Sequence, residues 1–388
     1  MPPNPSSRVC GWTNEALPLQ RNTWSHILSR KIKASFLLCI AVLVLASCGG
    51  IHTQSGSAQI VVTACPQPNQ CVGVSSSNDA SGFATTSDDG ATWSIRTLPN
   101  NFPVTLRACP TLLHCIGTSA SSPSAVMNST PGMDTINFVV TFDGGATWTT
   151  SSLSDIEQAG SVSCGDSLHC IAIVEPSVSS TQTLFSTDDG GRSWQPASSP
   201  KGTLQGPTLS CPSLSRCYLL TGNYGRPTAP LVRAWVSSNL GRTWISDGEL
   251  PDQDLPDGMD CPSPTTCFAY GSIPGKLTPQ KSIGEAYVTK DAGTTWIHST
   301  LPAHITDVQG AYCTKRATCW AFAATASNGV ILSSTDAGET WSVQAMSASV
   351  EGVILSAATC WSPGSCLLTT GDQSEAFPLN LLHATRVP

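Results

Sequence analysis

Apolar residues come in short runs separated by polar, glycine-bearing stretches, and the order of these runs repeats along the chain. In the first unit, Ile60-Val61-Val62-Thr63-Ala64 leads into Cys65 as a strand and Cys71-Val72-Gly73-Val74 leads out as a second. After a polar loop, Gly82-Phe83-Ala84-Thr85 reads as a third strand and Thr92-Trp93-Ser94-Ile95 as a fourth. The same succession returns at residues 106–153, 161–197, 209–245, 259–301 and 311–346. A seventh unit starts normally at 357–370, but its second half, 375–385, is degenerate. Four antiparallel strands in each stretch of about 50 residues make a propeller blade. The expected fold is therefore all-β: a seven-bladed β-propeller of four-stranded antiparallel blades over residues 58–385, with the stretch before Ile60 available to supply a missing strand. A ring of blades absorbs most of the 388 residues as one domain rather than two.

Between the third and fourth strand of each unit lies an eight-residue turn of the form [ST]-x-D-x-G-x-[ST]-W. Its copies carry Asp88 and Trp93, Asp143 and Trp148, Asp189 and Trp194, Asn239 and Trp244, Asp291 and Trp296, and Asp336 and Trp341. Successive tryptophans are 55, 46, 50, 52 and 45 residues apart, the period of a repeat architecture. The Asp or Asn side chain accepts backbone N–H bonds, the Gly takes a positive φ, and the Trp anchors the hairpin in a core.

The cysteines keep the same period. Of 17, three precede the repeats (Cys10, Cys39, Cys48). The others form CxxxxxC pairs: Cys65/Cys71, Cys109/Cys115, Cys164/Cys170, Cys211/Cys217, Cys261/Cys267, Cys313/Cys319 and Cys360/Cys366. One regularly placed pair per unit behind an export signal reads as a disulfide framework, each bridge closing a hairpin loop and contributing at most about 2 kcal/mol. Zinc is the alternative, but it needs four converging ligands, and the pairs sit on separate units without regular His partners.

Residues 34–47 are uncharged and mostly apolar, follow Arg30, Lys31 and Lys33, and end at Leu45-Ala46-Ser47-Cys48. That is the pattern of a signal peptide, too short for an easy membrane span, closing on a bacterial lipobox. Residues 1–47 are expected to be the signal peptide with a long n-region, which a misassigned start codon explains. Cys48 is then the lipidated first residue of the mature chain and 48–57 a tether, so the protein is expected in the bacterial cell envelope, lipid-anchored on the extracytoplasmic side. Removing 1–47 takes five of 19 basic and one of 26 acidic residues, leaving 14 against 25 and a formal charge of −11. Such a chain is not expected to bind nucleic acid.

Along a four-stranded meander the connections alternate ends. The cysteine loops and aspartate turns therefore share one face, and the second-to-third and inter-blade connections share the other. Length varies in the latter set, at 118–135, 222–229, 271–284 and 247–260, and variable loops on a rigid scaffold are where binding is sought. Candidate binding-face residues are Tyr224, Arg226, Glu249, Asp252, Asp254 and Asp257, the last four from an acidic connection.

The turns resemble the Asp-box, or bacterial neuraminidase repeat, found in sialidases, sortilin-type receptor propellers, some glycoside hydrolases and photosystem II assembly-factor propellers. The resemblance implies a propeller but no one activity, since such turns are shared by enzymes and non-enzymes. Sialidases also carry an Arg-Ile-Pro signature and a carboxylate-clamping arginine triad. Neither is evident: the nearest string is Gly225-Arg226-Pro227, and Arg192 and Arg242 sit inside turns. No GxSxG, HExxH, phosphate loop or CxxC motif occurs. The Asp88-Asp89 and Asp188-Asp189 strings read as turns rather than calcium loops, and His114 and His169 as hairpin-loop residues. No catalytic residue, metal or cofactor is expected. The function expected is a non-enzymatic, envelope-anchored propeller binding a protein or glycan through the face opposite the turns. The alternative is a secreted glycoside hydrolase of sialidase-like architecture, with Glu249, Asp257 or Glu285 as candidate carboxylates.

Overall fold

The computed structural model describes residues 59–381 apart from 68, 77–80, 89, 99–103, 121–134, 178–180, 201–203, 223–231, 252–255, 275–281, 314–317, 327–328, 345–354, 363–364 and 371–378; side chains are described as far as residue 344, apart from those of 59, 62, 76, 81, 120, 205 and 274. Six four-stranded antiparallel meanders span residues 59–97, 105–154, 156–196, 205–249, 258–298 and 307–343. Their first strands pack side by side, each against the first strand of the next, so these strands form the inner edges of the blades.

The core lies between blades rather than inside any one sheet. Ile116, Phe138 and Val140 of blade two meet Ala159, Val162, Ala172 and Val174 of blade three. The turn tryptophans of blades two, three and six reach back onto the preceding blade. Trp148 lies edge-on to Phe83 at 5.8 Å between ring centroids, Trp194 against Phe138 at 4.5 Å and Trp341 against Phe268 at 4.9 Å. Such a pair contributes about 0.5–1.5 kcal/mol beyond the area it buries.

The turns are built by one repeated set of bonds. In blade six the Ser334 hydroxyl donates to Asp336 Oδ1 at 2.7 Å and accepts the Gly338 N–H at 2.9 Å. The same carboxylate accepts the Thr340 N–H at 3.0 Å and the Thr340 hydroxyl at 2.6 Å. The turn glycine has a second duty besides its positive φ: a Cβ on Gly145, Gly191, Gly241, Gly293 or Gly338 would fall 2.7–3.3 Å from Phe83, Ile116, Ile171, Tyr218 or Phe268 of the preceding blade. Glycine and the apolar side chain it faces hold blade to blade at each of these joints.

Six hairpin disulfides are closed, Cys65–Cys71, Cys109–Cys115, Cys164–Cys170, Cys211–Cys217, Cys261–Cys267 and Cys313–Cys319, with Cα atoms 4.0–4.1 Å apart. The short separation follows from register: Cys164 faces Cys170 and Cys313 faces Cys319 directly across the strand pair.

The expectation of seven four-stranded blades is corrected. The propeller is six-bladed in complete four-stranded sheets; among the described residues the last repeat forms a three-stranded sheet, Leu355–Ser362, Ser365–Thr370 and Leu379–Leu381, whose first strand packs between those of blades six and one. This repeat lacks the Asp and Trp of the turn that joins third strand to fourth in the six complete blades. The side chains of Cys360 and Cys366, and the residues before Gln59, lie outside the described residues, as therefore does the strand sought there.

Candidate functional site

The expected division of faces holds. Turn residues bond directly to the cysteine hairpins, Gly144 N–H to Leu113 O at 3.0 Å, Gly190 N–H to Leu168 O at 2.8 Å and Ala292 N–H to Thr265 O at 2.9 Å, so both loop sets occupy one face. The opposite face carries a pocket of about 280 Å³ between blades three, four and five.

Two neighbouring β-bulges shape it. In the first strand of blade three, Ile156–Cys164, the register slips so that Gly160 and Ser161 together oppose Ile173. In the first strand of blade four, Gln205–Ser213, Gly206 and Pro207 together oppose Thr221. A bulge bends the strand and re-aims its side chains; here Gly160, Ser161, Ile173, Gly206 and Pro207 all line the pocket. Gln182 comes from the second-to-third connection of blade three, pinned by its N–H to Leu204 O at 3.2 Å. Thr208 follows the second bulge, and Pro256 and Asp257 arrive with the connection into blade five.

The polar chemistry of the pocket is lopsided. Among the described lining residues there is one ionisable group, Asp257, and no Lys, Arg or His. Gln182 Oε1 and Thr208 Oγ1 are buried without a hydrogen-bond partner. Asp257 is exposed as a residue, but its carboxyl lies over the backbone of Gly271, where a Cβ would come within 2.8 Å of Oδ2. Oδ2 accepts the Ser272 N–H at 3.3 Å. Burial, with the charge of Asp307, raises its pKa above the ordinary carboxylate value against that bond.

A second hollow of about 380 Å³ lies on the turn-bearing side of blades one and two, lined in part by Thr86, Arg96, Asp143 and Gly144. These groups are already engaged: Thr86 with Asp88 at 2.8 Å, Asp143 with Thr147 at 2.6 Å and Arg96 with Gly144 O at 3.3 Å. No orphaned polar atom lines it among the described residues, so the first pocket is the stronger candidate.

Of the candidate binding-face residues, Asp257 reaches the pocket. Glu249 instead pairs with Arg233 at 3.8 Å on the outer strands of blade four, and Tyr224, Arg226, Asp252 and Asp254 lie outside the described residues, as does Cys48. Glu285 accepts a hydrogen bond from the Tyr287 hydroxyl and does not line the pocket. The aspartates and tryptophans of the turns stay in the turns. His114 is buried, stacked on Phe142 at 4.3 Å, with Nε2 2.8 Å from Gly190 O. Among the described residues no three His, Cys, Asp or Glu side chains gather as metal ligands. Sequence reasoning missed Ser161, Gln182 and Thr208. Nothing in their residue types marks them; only their place at the starting ends of first strands and in a second-to-third connection does.

No family model matches the chain, and no curated protein matches it. Among solved structures, YCF48 bound to the D1 peptide is similar at 15% identity and a TM-score of 0.50, over 81% of this chain and 91% of that one. YCF48 from Cyanidioschyzon merolae is similar at 13% identity and a TM-score of 0.48, over 81% and 94%. The β-propeller domain of the trilobed protease from Pyrococcus furiosus is similar at 8% identity and a TM-score of 0.50, over 82% and 97%. At such identities the likeness is one of fold, and the fold of this chain is that of the β-propellers.

Proposed function

We propose that this chain is a non-enzymatic propeller of the Asp-box kind, held on the extracytoplasmic side of a bacterial membrane by a lipid on Cys48, that binds a partner through the face opposite the aspartate turns. The observation that carries the reading is the pocket between blades three and five on the face opposite the turns, shaped by two neighbouring β-bulges. Hydrolysis of a glycoside needs two carboxylates across the sugar, and the described lining supplies only Asp257. The six closed disulfides suit an oxidising, exported compartment, and residues 34–48 have the run and lipobox of a lipoprotein signal. That YCF48, a propeller of similar fold, binds a D1 peptide is in keeping with a receptor role.

The test is capture from envelope extract by the wild-type protein and by Ser161→Trp, which puts a large ring at an exposed position of the pocket lining. A partner retained by the first and lost by the second supports the reading. Equal capture by both, or turnover of fluorogenic glycosides that Asp257→Asn abolishes, overturns it. Labelling by a palmitate analogue, lost in Cys48→Ala, checks the anchor.

A further inference from the structure

The joint between blades two and three holds a buried histidine that the receptor reading does not use. His114, 3% exposed, closes the cysteine hairpin of blade two and reaches the aspartate turn of blade three, where Nε2 lies 2.8 Å from Gly190 O. A carbonyl only accepts, so the proton of the neutral ring sits on Nε2, and Nδ1 is left with a bare lone pair. Nδ1 is buried and without a hydrogen-bond partner among the described residues. The ring is held in this pose by its stack on Phe142, with 4.3 Å between centroids and 8° between planes. Phe142 in turn carries the Arg192 guanidinium 3.6 Å from its centroid, so one ring from the turn of blade two joins its own hairpin to the turn of blade three. The neighbouring hairpin shows the alternative. His169 occupies the same place before the second cysteine of blade three, and Asp166, two residues after the first cysteine, gives its Nδ1 an acceptor at 2.9 Å. In blade two that position is Thr111, whose hydroxyl accepts the His114 backbone N–H at 3.0 Å and leaves Nδ1 unpaired.

The charged groups on the elements around His114 are Asp143 in the turn of its own blade, Asp188, Asp189 and Arg192 in the turn of blade three, and Asp166 and His169 in the hairpin of blade three. These two hairpins and two turns lie wholly within the described residues. Asp143 is committed to Thr147, Asp189 to Ser193 and Asp166 to His169, and no carboxylate bonds to Nδ1. Burial pushes the pKa of His114 below the ordinary imidazole value; the bond to Gly190 O opposes that shift and the charge of Arg192 adds to it.

We propose that His114 is an acid-sensitive latch between blades two and three. Protonation gives Nδ1 a buried N–H with no acceptor and adds a second cation near Arg192, so the charged ring leaves for water and frees the turn of blade three. The unfolded chain takes up this proton near 6.5 and the folded chain only below it, so the stability of the joint is lost as pH falls under about 6.5. The latch lies on the hairpin face and stands apart from the receptor reading, whose pocket opens on the other.

The experiment is a pH titration of the oxidised, full-length exported protein from about pH 8 to about pH 5 by nuclear magnetic resonance. The His114 signal is identified by its through-space contact with the Phe142 ring. Amide exchange is read in parallel at Gly190, Gly191 and Ser193, whose N–H groups bond to Leu168 O, the Thr187 hydroxyl and Asp189. His114 takes up its proton below the ordinary imidazole range, and protection of the blade-three turn, corrected for the intrinsic pH dependence of exchange, falls at least about tenfold over the titration. The turn of blade six stays within about twofold. His114→Gln, which keeps a donor for Gly190 O and does not titrate, retains the protection in acid, whereas His169→Gln loses it as the wild type does. A His114 that titrates in or above the ordinary range, wild-type protection that holds in acid, or an equal loss in both turns overturns the latch. So does an acid response abolished in His169→Gln but not in His114→Gln. Where His114→Gln fails to fold by circular dichroism, the wild-type titration and exchange decide by the same outcomes.

Discussion

Asp260, next to the first cysteine of blade five, accepts the backbone N–H of Cys313, the first cysteine of blade six, at 3.2 Å. Ser163 does the same for Cys211 across blades three and four at 2.8 Å. The residue before a blade's first cysteine thus reaches the next blade at these two joints, tying neighbouring inner strands through a backbone donor that would otherwise need another partner.

The two joints differ in their response to pH. Burial pushes the Asp260 carboxyl up to about 6, against the pull of the Cys313 and Cys261 N–H groups. The unfolded chain releases this proton near pH 4 and the folded chain only near 6, so stability contributed by the protonated group declines as pH rises through that window. Asp260→Asn keeps an acceptor and removes the titration. Urea midpoints of this variant change less between pH 4 and 7 than those of wild type; parallel curves would count against the assignment.

The aspartate turns titrate the other way. At Asp336 burial opposes ionisation, but the Thr340 hydroxyl and N–H, the Ser334 hydroxyl and the charge of Lys290 hold the carboxyl down at about 2. Its contribution is present above about pH 4 and lost as pH falls towards 2. Asp336→Ala removes both Thr340 bonds and lowers stability by about 1–2 kcal/mol at neutral pH. Asp336→Asn costs less, because Asn239 already fills this place in blade four, accepting the Thr243 N–H at 2.9 Å and donating Nδ2 to the Thr243 hydroxyl at 2.9 Å. Thermal midpoints of the two variants should fall in that order.

Gly338 is doubly constrained, with φ at +91° and a would-be Cβ 2.9 Å from the Phe268 ring. Gly338→Ala therefore combines backbone strain with a clash in a filled core, and lowers stability by about 2 kcal/mol or more. Adding Phe268→Leu relieves the clash but not the φ, so the double variant recovers part of the loss. Full recovery would show that the φ strain is negligible, and no recovery that the contact is not what excludes a side chain there.

Oxidised protein, denatured and then reduced, gains two hydrogens for each of the six bridges, and two more when Cys360 and Cys366 are also joined. Intact mass before and after reductant reads this directly; a smaller gain means open pairs. Replacing Cys261 and Cys267 together by alanine costs up to about 2 kcal/mol, as expected for closing so short a loop.

Much of the fold was legible because its instructions are local. A hydroxyl, an Asp, a Gly and a Trp within eight residues define each turn, and a cysteine at either end of a five-residue loop defines each hairpin. What escaped depends on contacts between repeats. That Gly293 must stay bare for Tyr218 of the blade before it, or that Asp260 bonds to Cys313, is invisible until the sheets are side by side. The number of complete blades was overestimated because Leu355–Ser362 and Ser365–Thr370 look like any other opening pair, whereas this repeat lacks the turn that joins third strand to fourth in the complete blades. Asp257, a candidate on that face, lines the pocket, whereas Ser161 and Thr208 are ordinary residues placed there by two register slips, and Gln182 by a connection, that no residue type announces.

Site-specific photo-crosslinking in the exporting cell tests the central claim most directly. A crosslinking phenylalanine analogue is placed at Pro207 on the pocket wall, or at Leu113, 60% exposed on the hairpin face. A discrete adduct from position 207, absent from 113 and lost when Ser161→Trp is added, is the predicted result. An adduct from 113 alone, or one from 207 that survives Ser161→Trp, would contradict it.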